Sequence, residues 1–162
     1  MPNKRFREIR LSDFRGRWLV LFFYPLDFTS EFSRELQSYL EMYPRFRELN
    51  AEVIGCSVDS HFTHLNAIEH FFGQIGFPLI SDLSNDIARN YGVLMESGFS
   101  QRARFIIDPA GILRLACVTD NALIGSVSEI LRVVGDLQTK AQLGLETSSD
   151  HLAFGHSRPE ST

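Results

Sequence analysis

The side chains able to do chemistry are few and scattered along this chain. Its two cysteines are Cys56 and Cys117. A thiol acts as nucleophile or metal ligand only as the thiolate, which needs a nearby cation, a helix N-terminus or a metal. Both cysteines fall in apolar, strand-like runs, where the ordinary expectation is a small, inert hydrophobe with a raised pKa. Cys117 lies on the second strand of an expected hairpin and could approach a sheet edge. The sequence leaves a disulfide between them open, although a reducing compartment disfavours one. His61 and His64 are one helical turn apart, a spacing that metals use. With no carboxylate or cysteine cluster beside them in the sequence, they read as a solvated helix start and no metal is expected.

The elements that must position these groups alternate along the chain. Residues 18–24 form a continuous apolar run ending at Pro25, as a strand buried on both faces should. Phe32, Leu36, Tyr39, Leu40 and Tyr43 then recur at helical spacing, with Thr29 or Ser30 as cap and Glu31 at the positive end of the dipole. Pro44 is expected to kink or end this helix, leaving residues 45–49 as a second short piece. A strand at 52–58 precedes a helix at 61–72 capped by Asp59 or Ser60. A short strand at 77–80 and a short helix capped by Ser84 and ending at 91–92 follow. Residues 104–107 and 112–118 flank Asp108-Pro109-Ala110-Gly111 as a β-hairpin. A last amphipathic helix at 126–142 is expected to bury Val127, Ile130, Leu131, Val134 and Leu137. The order β-α-β-α-β-α-β-β-α specifies an α/β chain: a mixed central sheet flanked by helices, in a thioredoxin-like architecture. One domain is expected over residues 1–142, with a polar tail at 143–162.

Composition narrows the function classes. The chain has 162 residues, 44% hydrophobic and 22% charged, and a formal net charge of −4. These values fit one globular domain. Outside Lys4-Arg5-Phe6-Arg7 there is no basic cluster, so nucleic acid is not an expected partner. No apolar run approaches the roughly 18 residues that cross a bilayer. The N-terminus has no signal-peptide pattern, so no membrane association and a cytoplasmic location are expected.

Residues 18–36 resemble the typical 2-Cys branch of the peroxiredoxins, the alkyl hydroperoxide reductase and thiol-specific antioxidant family. Its members carry F-Y-P-L-D-F-T-x-x-C-P-T-E after a strand. Here the chain reads Phe23-Tyr24-Pro25-Leu26-Asp27-Phe28-Thr29-Ser30-Glu31-Phe32-Ser33-Arg34-Glu35. The likeness continues at residues 52–65, 91–94, 105–108 and 111–114, and covers about residues 6–137 in all.

The departures from that pattern carry more information than the match. The resemblance places the family's peroxidatic cysteine on Phe32, followed by Ser33 and Arg34 where proline and threonine are usual; Glu35 is kept. The active-site arginine falls on Arg102 and its hydroxyl partner on Thr29. A second arginine, just before the last helix, falls on Gly125. No resolving cysteine follows Cys117, and the chain starts at what resembles the second strand of the family's N-terminal hairpin. The resemblance therefore implies a vestigial pocket of Pro25, Thr29, Phe32, Glu35 and Arg102 with no catalytic residue and no cofactor, because a benzyl group has no lone pair with which to attack an O–O bond. Phe32 is expected to pack in the buried stripe of its helix and pin the first turn shut. Arg102, whose burial unpaired would be costly, is expected to pair with Glu35 or Glu31, and Arg104 shares its face of the strand.

Three functions are weighed on this basis. The first is a non-catalytic, oligomeric binding or regulatory module, implied to be a homodimer paired through residues 112–118 and built up in some relatives into a ring of dimers, with a protein client or regulatory partner. The second is a peroxidase using Cys56 or Cys117. The third is a holdase-like chaperone.

Overall fold

A computed structural model describes residues 6–120 and 126–144. A 3-10 turn at Leu11–Phe14 leads into β1 (Trp18–Phe23), α1 (Ser30–Glu48), β2 (Ala51–Ser57), α2 (His61–Phe71), β3 (Leu79–Ser81), α3 (Asp86–Asn90), β4 (Arg102–Ile107), β5 (Leu113–Thr119) and α4 (Val127–Gln142). The sheet order is β3-β2-β1-β4-β5. Strands β1, β2 and β3 run parallel, whereas β4 and β5 are antiparallel to their neighbours. This is the mixed, thioredoxin-like sheet that the element order specifies.

Strand β1 is central, so both its faces are buried, and its two-residue period deals side chains into two cores. Trp18, Val20, Phe22 and Tyr24 meet Phe32, Leu36 and Tyr39 of α1, Ala67 of α2 and Val127, Ile130 and Val134 of α4. Leu19, Leu21 and Phe23 meet Phe14, Ala88 and Val93 on the other side. Gly55 on β2 makes room for this packing: a Cβ there would fall 2.6 Å from Leu79 Cδ2 and 2.7 Å from Phe22 Cζ. Phe22 is thus free to stack on Tyr39, ring centroids 4.1 Å apart. Among the described residues no helix is long and apolar enough to cross a membrane.

Several expectations need correction. Pro44 neither ends nor divides the first helix, which runs unbroken to Glu48. Proline removes one N–H, but Tyr39 and Phe46, buried on either side of it, hold both halves to the sheet, and that packing outweighs one lost hydrogen bond. Ser84 does not cap α3: the Asp82 carboxylate accepts from the N–H groups of Ile87 and Ala88, and Ser84 donates to Asp86. The hairpin strand that the resemblance implies at the start of the chain falls partly outside the described residues, and residues 6–10 carry no strand. In α4, Val127, Ile130 and Val134 are buried while Leu131 and Leu137 pack at the margin of the core. Gly125, Lys4, Arg5 and residues 145–162 of the expected tail lie outside the described residues.

Candidate functional site

The site is assembled where β1 ends and α1 begins. Tyr24 follows the strand with a fully buried ring, and half-buried Pro25 turns the chain away from the sheet. Phe28 takes a left-handed backbone at φ 59°, costly for a non-glycine residue, with its ring half exposed against His70 and Phe71. Thr29 is extended and its hydroxyl accepts the Phe32 N–H at 3.0 Å, so the first turn of α1 is capped as its sequence predicts.

Phe32 lies inside that capped turn and is 1% exposed. Its ring centroid is 5.0 Å from that of Tyr24, 6.1 Å from Phe71 and 6.5 Å from Phe72. The position at the helix N-terminus is one where a thiol would be acidified, yet it is filled by hydrocarbon enclosed by aromatic rings. An open groove of about 490 Å³ lies beside it, lined by Ser33, Arg34, Gln37, Ser38, Phe71 and Phe72.

One helical turn on, Glu35 is 1% exposed and serves two cations. Arg102 Nη1 pairs with its Oε2, and Arg104 Nη2 lies 3.7 Å from its Oε1. The two arginines stand two residues apart on β4, so both project from the face that α1 and α4 cover. Arg104 also donates to the Ser126 carbonyl at 3.1 Å, which ties α4 to the cluster. Burial lowers the Arg102 pKa, opposed by the charge of Glu31. Of the two carboxylates expected as partners of Arg102, Glu35 makes the contact. Glu31 pairs instead with Arg34 at 3.8 Å, its carboxyl held down by its own backbone N–H and the Ser30 hydroxyl. Tyr39, against the Arg104 guanidinium, has its phenol pushed up to about 12 by burial.

The expectation for His64 is corrected. It is not a solvated residue but 3% exposed, with Nδ1 2.7 Å from Asp27 Oδ2 and Nε2 2.9 Å from the Ile80 carbonyl. The Tyr24 hydroxyl donates to Asp27 Oδ1 at 2.8 Å, and the Asp27 N–H donates to Asp59 at 2.8 Å. Carboxylates do accompany this histidine: Asp59 stands five residues before it, and Asp27 arrives from 37 residues away. Asp27, Asp59 and His64 bring donor atoms within 4.8 Å of one another. Both nitrogens of His64 and both oxygens of Asp27 already have protein partners, so the group is a closed hydrogen-bond cluster and not an open cage for a cation. Ala67, one turn after His64, is also buried, and this shared stripe is the sequence signal that points to the histidine. His61 stays exposed against Phe6 and Phe62.

The two thiols differ. Cys56 is buried on β2, and burial with the nearby Asp82 charge pushes its pKa up, away from thiolate. Cys117, expected to resemble it, is exposed, because β5 is an edge strand with both faces open along much of its length.

The AhpC/TSA family matches residues 1–116. The mitochondrial thioredoxin-dependent peroxide reductase of Drosophila melanogaster is 44% identical over 148 residues, covering 88% of this chain and 63% of that protein. Peroxiredoxin-1 of Gekko japonicus is 45% identical over 144 residues, covering 85% of this chain and 72% of the relative. The chain thus spans less than two thirds of the length of the fly protein. Among solved structures, Enterococcus faecalis AhpC superposes with a TM-score of 0.80 at 33% identity, covering 85% of this chain and 84% of that one.

Proposed function

The chain belongs to the AhpC/TSA family of peroxiredoxins, and from that premise we propose that it is a non-catalytic, homo-oligomeric binding or regulatory module. One observation carries this reading: the capped first turn of α1 holds Phe32, sealed among Tyr24, Phe71 and Phe72, at the place where the family resemblance puts the attacking cysteine. Reduction of a hydroperoxide needs a sulfur lone pair to attack one oxygen while the other departs as water or alcohol. Phe32 supplies none. Thr29 is occupied as a helix cap, and Arg102 is turned to Glu35, so the groups expected around a peroxide serve the helix and the core.

A second reading has one observation in its favour. Cys117 is exposed, so a surface thiol is open to oxidants and a peroxidase built on it is the rival. A brief exposure of the reduced protein to stoichiometric hydrogen peroxide, followed by a sulfenic-acid probe and mass spectrometry, separates the two. The module reading expects label on Cys117 only at the slow rate of an ordinary thiol and none on Cys56. Complete labelling of either within seconds favours the peroxidase.

The assembly is read from β5. Leu113 and Val118 of β5 are 51% and 49% exposed and Ile112 just before it 58%, and among the described residues the outer edge of β5 pairs with no strand, a combination that invites a second copy across a two-fold axis. Val118→Lys places a charge on that edge. Sedimentation is expected to give a dimer or a multiple of it for the parent chain and a monomer for the variant; a monomeric parent removes this part of the reading. A cytoplasmic location agrees with two free thiols.

A further inference from the structure

His64 stands between two acceptors. Its Nε2 faces the Ile80 carbonyl at 2.9 Å, and a carbonyl only accepts, so Nε2 carries a proton. Its Nδ1 is 2.7 Å from Asp27 Oδ2, a contact that requires a second proton between the two atoms. Tyr24 cannot provide that proton, because its hydroxyl donates to the other oxygen of Asp27 at 2.8 Å and lies 3.4 Å from Nδ1. The pair holds its shared proton as imidazolium and carboxylate, or as the neutral tautomers; the total charge is the same.

We propose that the Asp27–His64 pair is a proton-dependent clasp that fastens loop 26–29, and with it the capped first turn of α1, to α2 and β3. The connections run through every element around the ring. Tyr24 follows β1, Asp27 lies in the loop, His64 is on α2, and Ile80 is on β3. Asp59, after β2, accepts from the Asp27 N–H and from the Ser57 hydroxyl, both at 2.8 Å. Of the groups facing the imidazole, Asp27 and Asp59 are acidic, while burial and the Asp27 charge keep Tyr24 a neutral phenol. Loss of the shared proton leaves a nitrogen lone pair against a carboxylate, next to a second carboxylate, out of water. The ring then has to turn away and the loop loses its hold on α2. That loop carries Phe28 in its strained left-handed conformation, so release is expected to start there.

The direction of the pH dependence follows from the same contacts. Burial disfavours the charged ring, but the Asp27 hydrogen bond and charge, the Ile80 carbonyl and the Asp59 charge outweigh it, so the pKa of folded His64 is raised. A raised pKa contributes stability that is complete below the unfolded value and is lost as pH rises through the folded one. The clasp is therefore closed in mild acid and opens on the alkaline side of an ordinary histidine titration.

Amide hydrogen exchange of the intact protein, corrected for intrinsic rates, tests this across about pH 6 to 9, a range that spans the ordinary histidine value and the region above it. Peptides covering residues 26–33 are expected to lose about tenfold protection or more as pH rises, the scale of losing one hydrogen bond to a charged group, while β1 stays constant. Asp27→Asn is expected to abolish the step: an asparagine amide donates to the neutral Nδ1, so the uncharged ring becomes the form that fits. His64→Gln abolishes it by removing the titrating group. The ring nitrogens of His64 in the parent chain, followed by nuclear magnetic resonance, need no variant to fold and are expected to titrate with the same midpoint as the exchange step. A pH-independent loop in the parent, an unchanged step in Asp27→Asn, or His64 ring nitrogens that show no titration step between about pH 6 and 9 overturn the clasp.

Discussion

Glu35→Ala is expected to lower the unfolding free energy by about 3–5 kcal/mol, as breaking a buried ion pair from one side does. Glu35 is the carboxylate shared by Arg102 and Arg104, and all three residues are no more than 5% exposed. Removing the acid takes from two buried guanidinium groups the carboxylate that they share. Equilibrium urea denaturation measures the loss. Glu35→Gln, which keeps volume and polarity but not charge, is expected to show most of it. The comparison that isolates the electrostatic cause is the triple replacement Glu35→Leu, Arg102→Met and Arg104→Leu. Apolar groups of similar size repack such sites at little cost, so the triple variant is expected to be more stable than Glu35→Ala alone. A loss below about 1 kcal/mol for Glu35→Ala is the scale of a solvated surface pair and contradicts this account of the cluster.

Phe32→Ala is expected to cost about 3–5 kcal/mol, the range for deleting a buried phenylalanine ring. The ring is 1% exposed and meets Tyr24, Phe71 and Phe72, which come from the residue that follows β1, from α2 and from the residue that follows α2. Deleting it opens a cavity under the first turn of α1, and the Thr29 cap alone contributes only about 1 kcal/mol. Amide protection of residues 30–34 is therefore expected to fall further than that of residues 39–46. Phe32→Leu retains most of the apolar volume, and its cost is expected to be clearly smaller than that of alanine. Equal losses for alanine and leucine, or an unchanged first turn, would show that Phe32 fills space without pinning the helix.

How much of this was legible in the sequence depends on the range of the forces involved. The 18–24 run, the periodic helix after it and the Thr29 cap are set by neighbours within a few residues, and each formed where its pattern lies. Pro44 misleads because the local rule is sound but the restoring force is tertiary, supplied by the sheet beneath Tyr39 and Phe46. His64 misleads for the same reason: its partners Asp27 and Ile80 stand 37 and 16 residues away. A metal-spacing test within one helix cannot see them. The buried pairing of Arg102 with Glu35 was foreseeable only through the family likeness, since charge patterning alone places both residues on a surface. Arg104 was legible as a neighbour on the strand face, but its bond to Ser126 depends on where α4 docks. Cys117 belonged to an apolar strand in either reading. Its exposure follows from β5 being the last strand of the sheet, a property of topology and not of sequence pattern.

The most direct measurement is steady-state turnover of hydrogen peroxide by the reduced protein, coupled through thioredoxin and its reductase to the oxidation of NADPH. With Phe32 sealed at the head of α1, Cys56 held as a buried thiol and Cys117 on an open edge, the predicted rate does not exceed that of the same mixture without the protein. Rapid turnover that disappears when Cys56 or Cys117 is changed to serine would mean that this fold has moved its nucleophile and kept its chemistry.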